Sequence, residues 1–202
     1  MQRICKEILQ TVIVFFLINF PASAGIDSKT IIRYNEETQT AQFISDLSNE
    51  SVKRLINLHE RTPIKKLIIT SPGGDFDSGI ALGEFVYDNK ISVVVHRYCN
   101  SSCTIAFFSA DLSRRYMMPN SFLGLHNVSI VSNVRNSDDS YITVRQLTEF
   151  ADQLSTKVGF LFILYSVNGI PSSLLLEVAK VRGEKVIRIS KEQLYEFGAL
   201  VN

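Results

Sequence analysis

Apolar residues recur along this chain in two alternating patterns between about residue 30 and residue 126. Short, β-branched and nearly continuous apolar runs are typical of parallel strands that are covered on both faces. Such runs occupy residues 64–70 and 91–96, and residues 121–125 read as a further strand. Apolar residues at helical spacing predict a helix around residues 52–58, before the first run, and another around 80–86. Residues 103–110 read as a short apolar helix. This alternation of strands and helices predicts an α/β fold built on a parallel sheet.

Further elements are predicted at both ends of this core. Residues 30–34 and 38–44 read as strands, and a polar loop is expected at residues 132–140. A long helix then runs from Val144 to about Val167, followed by a helix at 172–180, a strand at 185–189 and a helix at 191–197. Residues 160–165 are apolar on every side of the long helix, so we expect them to be deeply buried or covered by another copy of the chain.

The first 24 residues have the features of a secretory signal peptide. Arg3 and Lys6 precede an apolar stretch at residues 8–20, and Ala22-Ser23-Ala24 supplies a small-x-small cleavage site. We therefore expect cleavage before Gly25, a single domain over residues 25–202, and a periplasmic or secreted protein with no stable membrane span. The alternative is an uncleaved anchor, for which the apolar stretch is short.

Composition excludes several classes of partner and cofactor. The net charge of the 202-residue chain is +1 with no polybasic cluster, which gives no indication of nucleic-acid binding. Cys5 lies in the predicted signal peptide. Scattered histidines and the two remaining cysteines form no convincing metal set, and no cofactor is expected. Cys99 and Cys103 are predicted to be either disulfide-bonded or two buried thiols. The bond is feasible only if Cys99 lies on the turn before the helix, because two helical residues four apart are too distant.

Three stretches contain residues able to carry chemistry. Ser71-Pro72-Gly73-Gly74 follows a strand, and glycines there can leave backbone N–H groups free for a ligand, although a plain tight turn is the alternative. Ser101 lies where a strand gives way to a helix, so it is either a nucleophile or a helix cap, and Ser102 competes for both roles. His126 closes a strand as either a general base or a structural residue.

Taken together, these stretches resemble the proteolytic subunit of the Clp protease and its crotonase-fold relatives. The resemblance covers residues 48–126 and 189–201, where Pro119-Asn120-Ser121 leads to His126 and a Ser-x-Glu pattern ends at Gly198. The Cys-x-Ser-x-Cys setting of Ser101 is similar to that of periplasmic Clp-protease-like proteins. The resemblance implies a spiral of ββα units with a protruding long helix.

The resemblance also implies roles for individual residues. Ser101 would be the nucleophile and His126 the general base, with the N–H groups of Gly74 and Ser102 binding the oxyanion. Val186 stands where the family has its catalytic acid. Glu184 is the first candidate for a third member, because a strand would point it to the same side as Val186. Asp138 and Asp139 are the loop alternatives to Glu184.

The function that follows is an ATP-independent serine hydrolase, in the first place a peptidase, that acts on a peptide or other acyl substrate as a homo-oligomer. One alternative is a binding or scaffold protein that has kept the fold without turnover, which the missing acid favours. Another is a crotonase-like acyl-CoA enzyme, which export would separate from coenzyme A. A Ser–Lys dyad would have to use Lys157, on the long helix.

Overall fold

The structure is a computed structural model that describes residues 30–127, 144–181 and 185–201. The described part of the chain contains the seven strands β1 (Ile31–Asn35), β2 (Thr40–Ile44), β3 (Lys66–Ser71), β4 (Ser92–Asn100), β5 (Arg115–Met117), β6 (Phe122–Leu125) and β7 (Ile187–Ser190). It also contains the helices α1 (Asn49–Arg61), α2 (Phe76–Asp88), α3 (Cys103–Ser109), α4 (Val144–Val167), α5 (Ser172–Lys180) and α6 (Lys191–Glu196). The predicted signal peptide and polar loop lie outside the described residues.

The strands form one sheet with the order β1-β2-β3-β4-β6-β7, and β5 also pairs with β4. The pairs from β2 to β6 are parallel, whereas β1–β2 and β6–β7 at the two ends are antiparallel. The prediction of an α/β fold with a largely parallel sheet is therefore confirmed. Predicted boundaries differ by one or two residues at most strands, as is usual where an apolar pattern fades into a turn.

Strand β4 is longer than its apolar pattern indicates, because it continues from residue 96 to Asn100. Its first half pairs with both β3 and β5, while Tyr98–Asn100 pair with Phe122–Gly124 of β6. The polar residues at 96 and 97 interrupt the apolar run, yet the hydrogen-bonded ladder to β6 keeps the strand extended. Strand β5 escaped prediction, since three residues are too few to establish a period.

The helices bury their apolar faces on this sheet. Ser48 caps α1 through a capping box with Ser51, and the carboxylate of Asp75 caps α2 by accepting from the Ser78 N–H at 2.7 Å. The shared core includes side chains from strands and helices that are almost fully buried: Phe43, Leu55, Leu67, Ile69, Leu82, Val93, Val95, Phe107, Leu123 and Leu125. The sheet and the helices thus share one apolar core.

The apolar run in α4 has one buried side and one exposed side. Tyr165 is 3% exposed and packs in the core, whereas Ile163 is 67% and Val167 74% exposed. Of the two expected alternatives, deep burial within one chain therefore holds for only part of the run, and cover by another copy stays a prediction. No helix in the described ranges is long and apolar enough to cross a membrane.

Arg115 joins three parts of the chain inside the protein. It is 4% exposed, and its guanidinium donates to acceptors at the end of α3, the end of α4 and the C-terminal segment: the carbonyls of Phe108, Ala110 and Ala199 and the side-chain oxygen of Asn168. Burial lowers the pKa of Arg115 to about 10, with Asp111 opposing the shift, so the side chain stays charged at neutral pH.

We predict that Arg115→Met lowers the free energy of unfolding by about 2–5 kcal/mol, because three carbonyls and an amide lose a buried donor. Arg33→Met is the control, since Arg33 is exposed on β1. Urea denaturation of both variants measures the difference. An equal, small effect of the two substitutions would show that Arg115 does not hold these segments together.

Candidate active site

Ser101 occupies the turn between β4 and α3 with an unusual backbone conformation. Its φ is +53°, a left-handed value that non-glycine residues seldom adopt. The side chain is half-buried, and its hydroxyl makes no hydrogen bond with any described residue. Serine nucleophiles of α/β hydrolases are presented on sharp, strained turns between a strand and a helix. The conformation of Ser101 has this character.

Several contacts hold the turn in this conformation. The Ser101 N–H donates to the Gly124 carbonyl of β6 at 2.7 Å, and the Ser101 carbonyl accepts from both the N–H and the hydroxyl of Thr104, at 2.9 and 2.6 Å. Cys99 and Cys103 are joined by a disulfide with a Cα–Cα distance of 5.3 Å. Cys99 lies in β4, ahead of the turn, and Cys103 opens α3. The bond is feasible because the two residues are not both helical. Ser101 is thus hydrogen-bonded to β6 and to α3, and the disulfide links the two sides of its turn.

Neither serine acts as a helix cap through its side chain. The cap position of α3 is Ser102, whose hydroxyl makes no capping bond and instead donates to the Gly74 carbonyl at 3.2 Å. This bond ties the start of α3 to the glycine loop. The hydroxyl of Ser101 is left available for chemistry.

The glycine loop lies directly against Ser101. Gly73 has a φ of +92°, and a Cβ built on it would lie 2.7 Å from the Cβ of Ser101, so a side chain has no room there. The Gly73 carbonyl accepts from the Leu47 N–H at 2.8 Å, and the Gly73 N–H donates to the Ser71 hydroxyl at 3.1 Å. The Ser71-Pro72-Gly73-Gly74 motif therefore forms one wall of the site, packed directly against Ser101.

Two backbone N–H groups beside Ser101 lack hydrogen-bond acceptors within the described ranges. They belong to Gly74 and Ser102. The bond between the Ser102 hydroxyl and the Gly74 carbonyl keeps the two residues adjacent. Adjacent N–H donors next to a hydroxyl are the components of an oxyanion hole.

His126 follows β6 at the same edge of the sheet as Ser101. Strands β4 and β6 are parallel and pair Asn100 with Gly124, and β6 continues to Leu125. Ser101 and His126 therefore follow the carboxyl ends of two neighbouring parallel strands. The Nδ1 atom of His126 lies 2.6 Å from the Asn127 carbonyl oxygen. The imidazole borders a small cleft whose other walls come from α4 and α5: Val158, Leu161, Phe162, Tyr165, Leu175 and Val178. No hydrogen bond joins the side chains of Ser101 and His126.

The third position of a triad is not filled among the described residues. Val186 is half-buried and apolar, and no described carboxylate is hydrogen-bonded to His126. Glu184, Asp138 and Asp139 lie outside the described residues. Lys157 pairs with Asp77 at 3.3 Å and lies over the Phe76 ring, so the structure gives no support to a Ser–Lys dyad.

His59 and His96 are the other two histidines of the chain. The Nδ1 atom of His59 accepts a hydrogen bond from the Ile64 N–H at 3.0 Å, and the His59 ring packs against Phe85. His59 therefore has a structural role. His96 lies within β4, and its buried Nδ1 has no hydrogen-bond partner among the residues that the structure describes. In the ranges that the structure describes, no group of three histidine, cysteine or acidic side chains is placed to hold a metal ion.

The sequence did not reveal a role for Tyr165, whose hydroxyl supports the Ser101 turn through Thr104. Its hydroxyl lies 2.7 Å from the Thr104 hydroxyl. Thr104 donates its one hydroxyl proton to the Ser101 carbonyl. Tyr165 must therefore donate, and burial raises its pKa to about 12 while the bond to Thr104 opposes the shift. Tyr165 also lines the cleft beside His126. The one available signal was a polar group inside an otherwise apolar run.

The Ser-Pro-Gly-Gly loop, the strained serine and the histidine at one edge of a parallel sheet define a protein of the Clp protease class. The Clp protease family model matches residues 26–158, well over half of the chain, and the chain belongs to this family. Its fold is similar to that of a solved ClpP1 point mutant from Listeria monocytogenes, with a TM-score of 0.60 and 15% sequence identity over 81% of this chain and 90% of the other. No curated protein matches the sequence. The expected fold class is confirmed.

We predict that Tyr165→Phe changes how stability depends on alkaline pH. The folded pKa of about 12 exceeds the unfolded value of 10, so Tyr165 contributes stability that is present below about pH 10 and lost as the pH rises toward 12. Wild type should lose about 1–3 kcal/mol more than the variant over this range. Urea denaturation at both ends of the range measures this, with Tyr195→Phe, 41% exposed, as the control. Identical losses in wild type and Tyr165→Phe would contradict the prediction.

Proposed function

We propose that this protein is an exported serine hydrolase of the cell envelope, in the first place an ATP-independent peptidase. Ser101 is the nucleophile, His126 the general base, and the N–H groups of Gly74 and Ser102 form the oxyanion hole. The substrate is a peptide or another activated acyl group, and no cofactor or metal takes part. Membership of the Clp protease family supports the hydrolase class. The signal-peptide features of residues 1–24 support export.

The observation that carries this proposal is the conformation of Ser101. A φ of +53° is held in place by bonds to Gly124 and Thr104 and by the disulfide across the turn, yet the hydroxyl itself bonds to no described residue. Strain of this kind persists only where the surrounding structure over-determines it, and it concentrates at functional sites. Gln39, Lys90 and Asn120 share this φ region. Ser101 differs from them in combining the strained turn with an unbonded hydroxyl beside the N–H groups of Gly74 and Ser102.

The proposed reaction follows from these positions. The Ser101 oxygen attacks the substrate carbonyl carbon while His126 accepts the hydroxyl proton. The carbonyl oxygen becomes an oxyanion and is bound by the N–H groups of Gly74 and Ser102. The tetrahedral intermediate collapses, the amine or alcohol leaves with the proton from His126, and an ester to Ser101 remains. Water, deprotonated by His126, then hydrolyses the ester and restores the enzyme.

A second candidate function is a binding or scaffold protein with the same fold. Two observations favour it: the Ser101 and His126 side chains are not hydrogen-bonded to each other, and the family's acid position holds Val186. Hydrogen bonds in an empty catalytic site often tighten only when substrate binds, so the first observation does not exclude an enzyme. The second observation, the valine at residue 186, predicts an enzyme with slow turnover.

We predict that a fluorophosphonate forms a covalent adduct at Ser101, located by peptide mass spectrometry. Ser101→Ala should abolish the adduct, and His126→Ala should slow its formation by about 10²–10⁴ because the general base is lost. Ser109→Ala is the matched control, since it removes a hydroxyl at the other end of α3 and leaves the bond between Ser102 and Gly74 in place. It should label at close to the wild-type rate.

The outcomes separate the two functions. Labelling that survives Ser101→Ala would show that the nucleophile is misassigned. A wild-type protein that neither labels nor hydrolyses any of a panel of peptide and ester substrates would favour the binding or scaffold function.

The active form is proposed to be a homo-oligomer. Proteins of the Clp protease type form oligomers. On α4 of this chain, the exposed apolar side chains Ile163 and Val167 are four residues apart and thus share one face of the helix. A second copy of the chain would remove this face from water.

We predict that Ile163→Glu weakens self-association by about 10- to 100-fold, because a buried isoleucine contributes about 1.5–3 kcal/mol. Sedimentation velocity over a range of concentrations measures it. Tyr87→Glu is the control, because Tyr87 is equally exposed, at 67%, but lies on α2. A wild-type protein that is monomeric at micromolar concentration would contradict the proposal.

A further inference from the structure

The hydrogen bond of His126 identifies which of its ring nitrogens carries the proton. Nδ1 lies 2.6 Å from the carbonyl oxygen of Asn127, and a carbonyl oxygen can only accept. Nδ1 is therefore the protonated nitrogen of the neutral ring. Nε2 keeps its lone pair, which is the state a general base requires.

Asn127 is itself held in place by α5. Its side-chain Nδ2 donates to the carbonyl of Ala179, near the end of that helix, at 3.1 Å. Asn127 also borders the cleft formed by α4 and α5, together with His126. The residue whose carbonyl contacts the imidazole is thus anchored to a packed helix through its own side chain.

We propose that Asn127 is the positioning residue for His126, its main-chain carbonyl taking the place that a carboxylate occupies in a Ser-His-Asp triad. This inference rests on the proposed function, in which His126 is the general base. The carbonyl supplies two of the functions of the missing acid, since it selects the tautomer and fixes the ring plane. It carries no full charge, so it stabilises the imidazolium of the transition state less than a carboxylate does.

The contact with the Asn127 carbonyl explains why a valine can stand at residue 186. A carboxylate at that position is dispensable for orientation when the chain directly after the histidine already provides an acceptor. Among the described residues, the carbonyl of Asn127 is the acceptor that contacts the His126 ring.

The test reads the tautomer directly by two-bond and three-bond ¹H–¹⁵N correlation NMR of the ¹⁵N-histidine-labelled protein. Spectra are recorded at about pH 8.5, well above the ordinary titration range of histidine. His126 should show a protonated Nδ1 and an unprotonated Nε2. His59 provides an internal reference of opposite type, because its Nδ1 accepts a hydrogen bond from Ile64. Single His→Ala variants assign the signals.

Asn127→Ala removes the anchor to Ala179 and tests the positioning role. The fraction of His126 with a protonated Nδ1 should fall, and fluorophosphonate labelling of Ser101 should slow by about 10- to 100-fold, the effect expected when a catalytic group is misplaced by about an ångström. Asn89→Ala is the matched control, because Asn89 also donates its Nδ2 to a helix carbonyl, that of Phe85, at 2.9 Å. It should change neither the tautomer nor the labelling rate.

Failure of the inference and failure of the proposed function give different results. An Nε2-protonated His126 in a protein that labels at Ser101 would overturn the inference and leave the hydrolase standing. So would an Asn127→Ala variant with an unchanged tautomer and rate. An Nδ1-protonated His126 in a protein that never labels would support the carbonyl contact and remove the proposed activity.

Discussion

The hydrogen bond from the Ser101 N–H to the Gly124 carbonyl is the interaction on which the candidate site depends. It extends the pairing of β4 with β6 by one bond beyond Asn100 and obliges the chain to turn sharply into α3. Ser101 takes a left-handed conformation as the consequence. The same pairing fixes where β6 ends, and His126 follows two residues after Gly124. One ladder thus sets the positions of both candidate catalytic residues.

The helices around the site stabilise that turn from different sides. Thr104 in α3 bonds to the Ser101 carbonyl, Tyr165 in α4 bonds to Thr104, and Ser102 bonds to the glycine loop. Tyr165 also lies in the cleft beside His126, so the long helix contacts both halves of the site. The opposite face of that helix carries the exposed Ile163 and Val167. If that face binds a second copy of the chain, assembly would stiffen the helix that supports the nucleophile.

The sheet and helices were predictable because their signal is local. Continuous apolar runs identified the buried strands, and helical spacing identified α1, α2, α4 and α5. The strand β5 and the second half of β4 were not predictable, because their stability comes from partners distant in sequence. Ser101 and His126 were proposed from a combination of motifs, and the structure brings them to the same sheet edge. The contact of the His126 ring with its own neighbour's carbonyl has no sequence signature, since every residue has a carbonyl.

The central claim is that Ser101, Gly74 and Ser102 act as one acyl-transfer site, and a crystal structure of the fluorophosphonate adduct tests it most directly. The account predicts a phosphorus–oxygen bond to Ser101, with the phosphoryl oxygen about 2.7–3.1 Å from the N–H groups of both Gly74 and Ser102. His126 should present Nε2 toward the Ser101 oxygen while Nδ1 still contacts Asn127. An adduct on another residue, or a phosphoryl oxygen directed to solvent with both N–H groups unoccupied, would contradict the account.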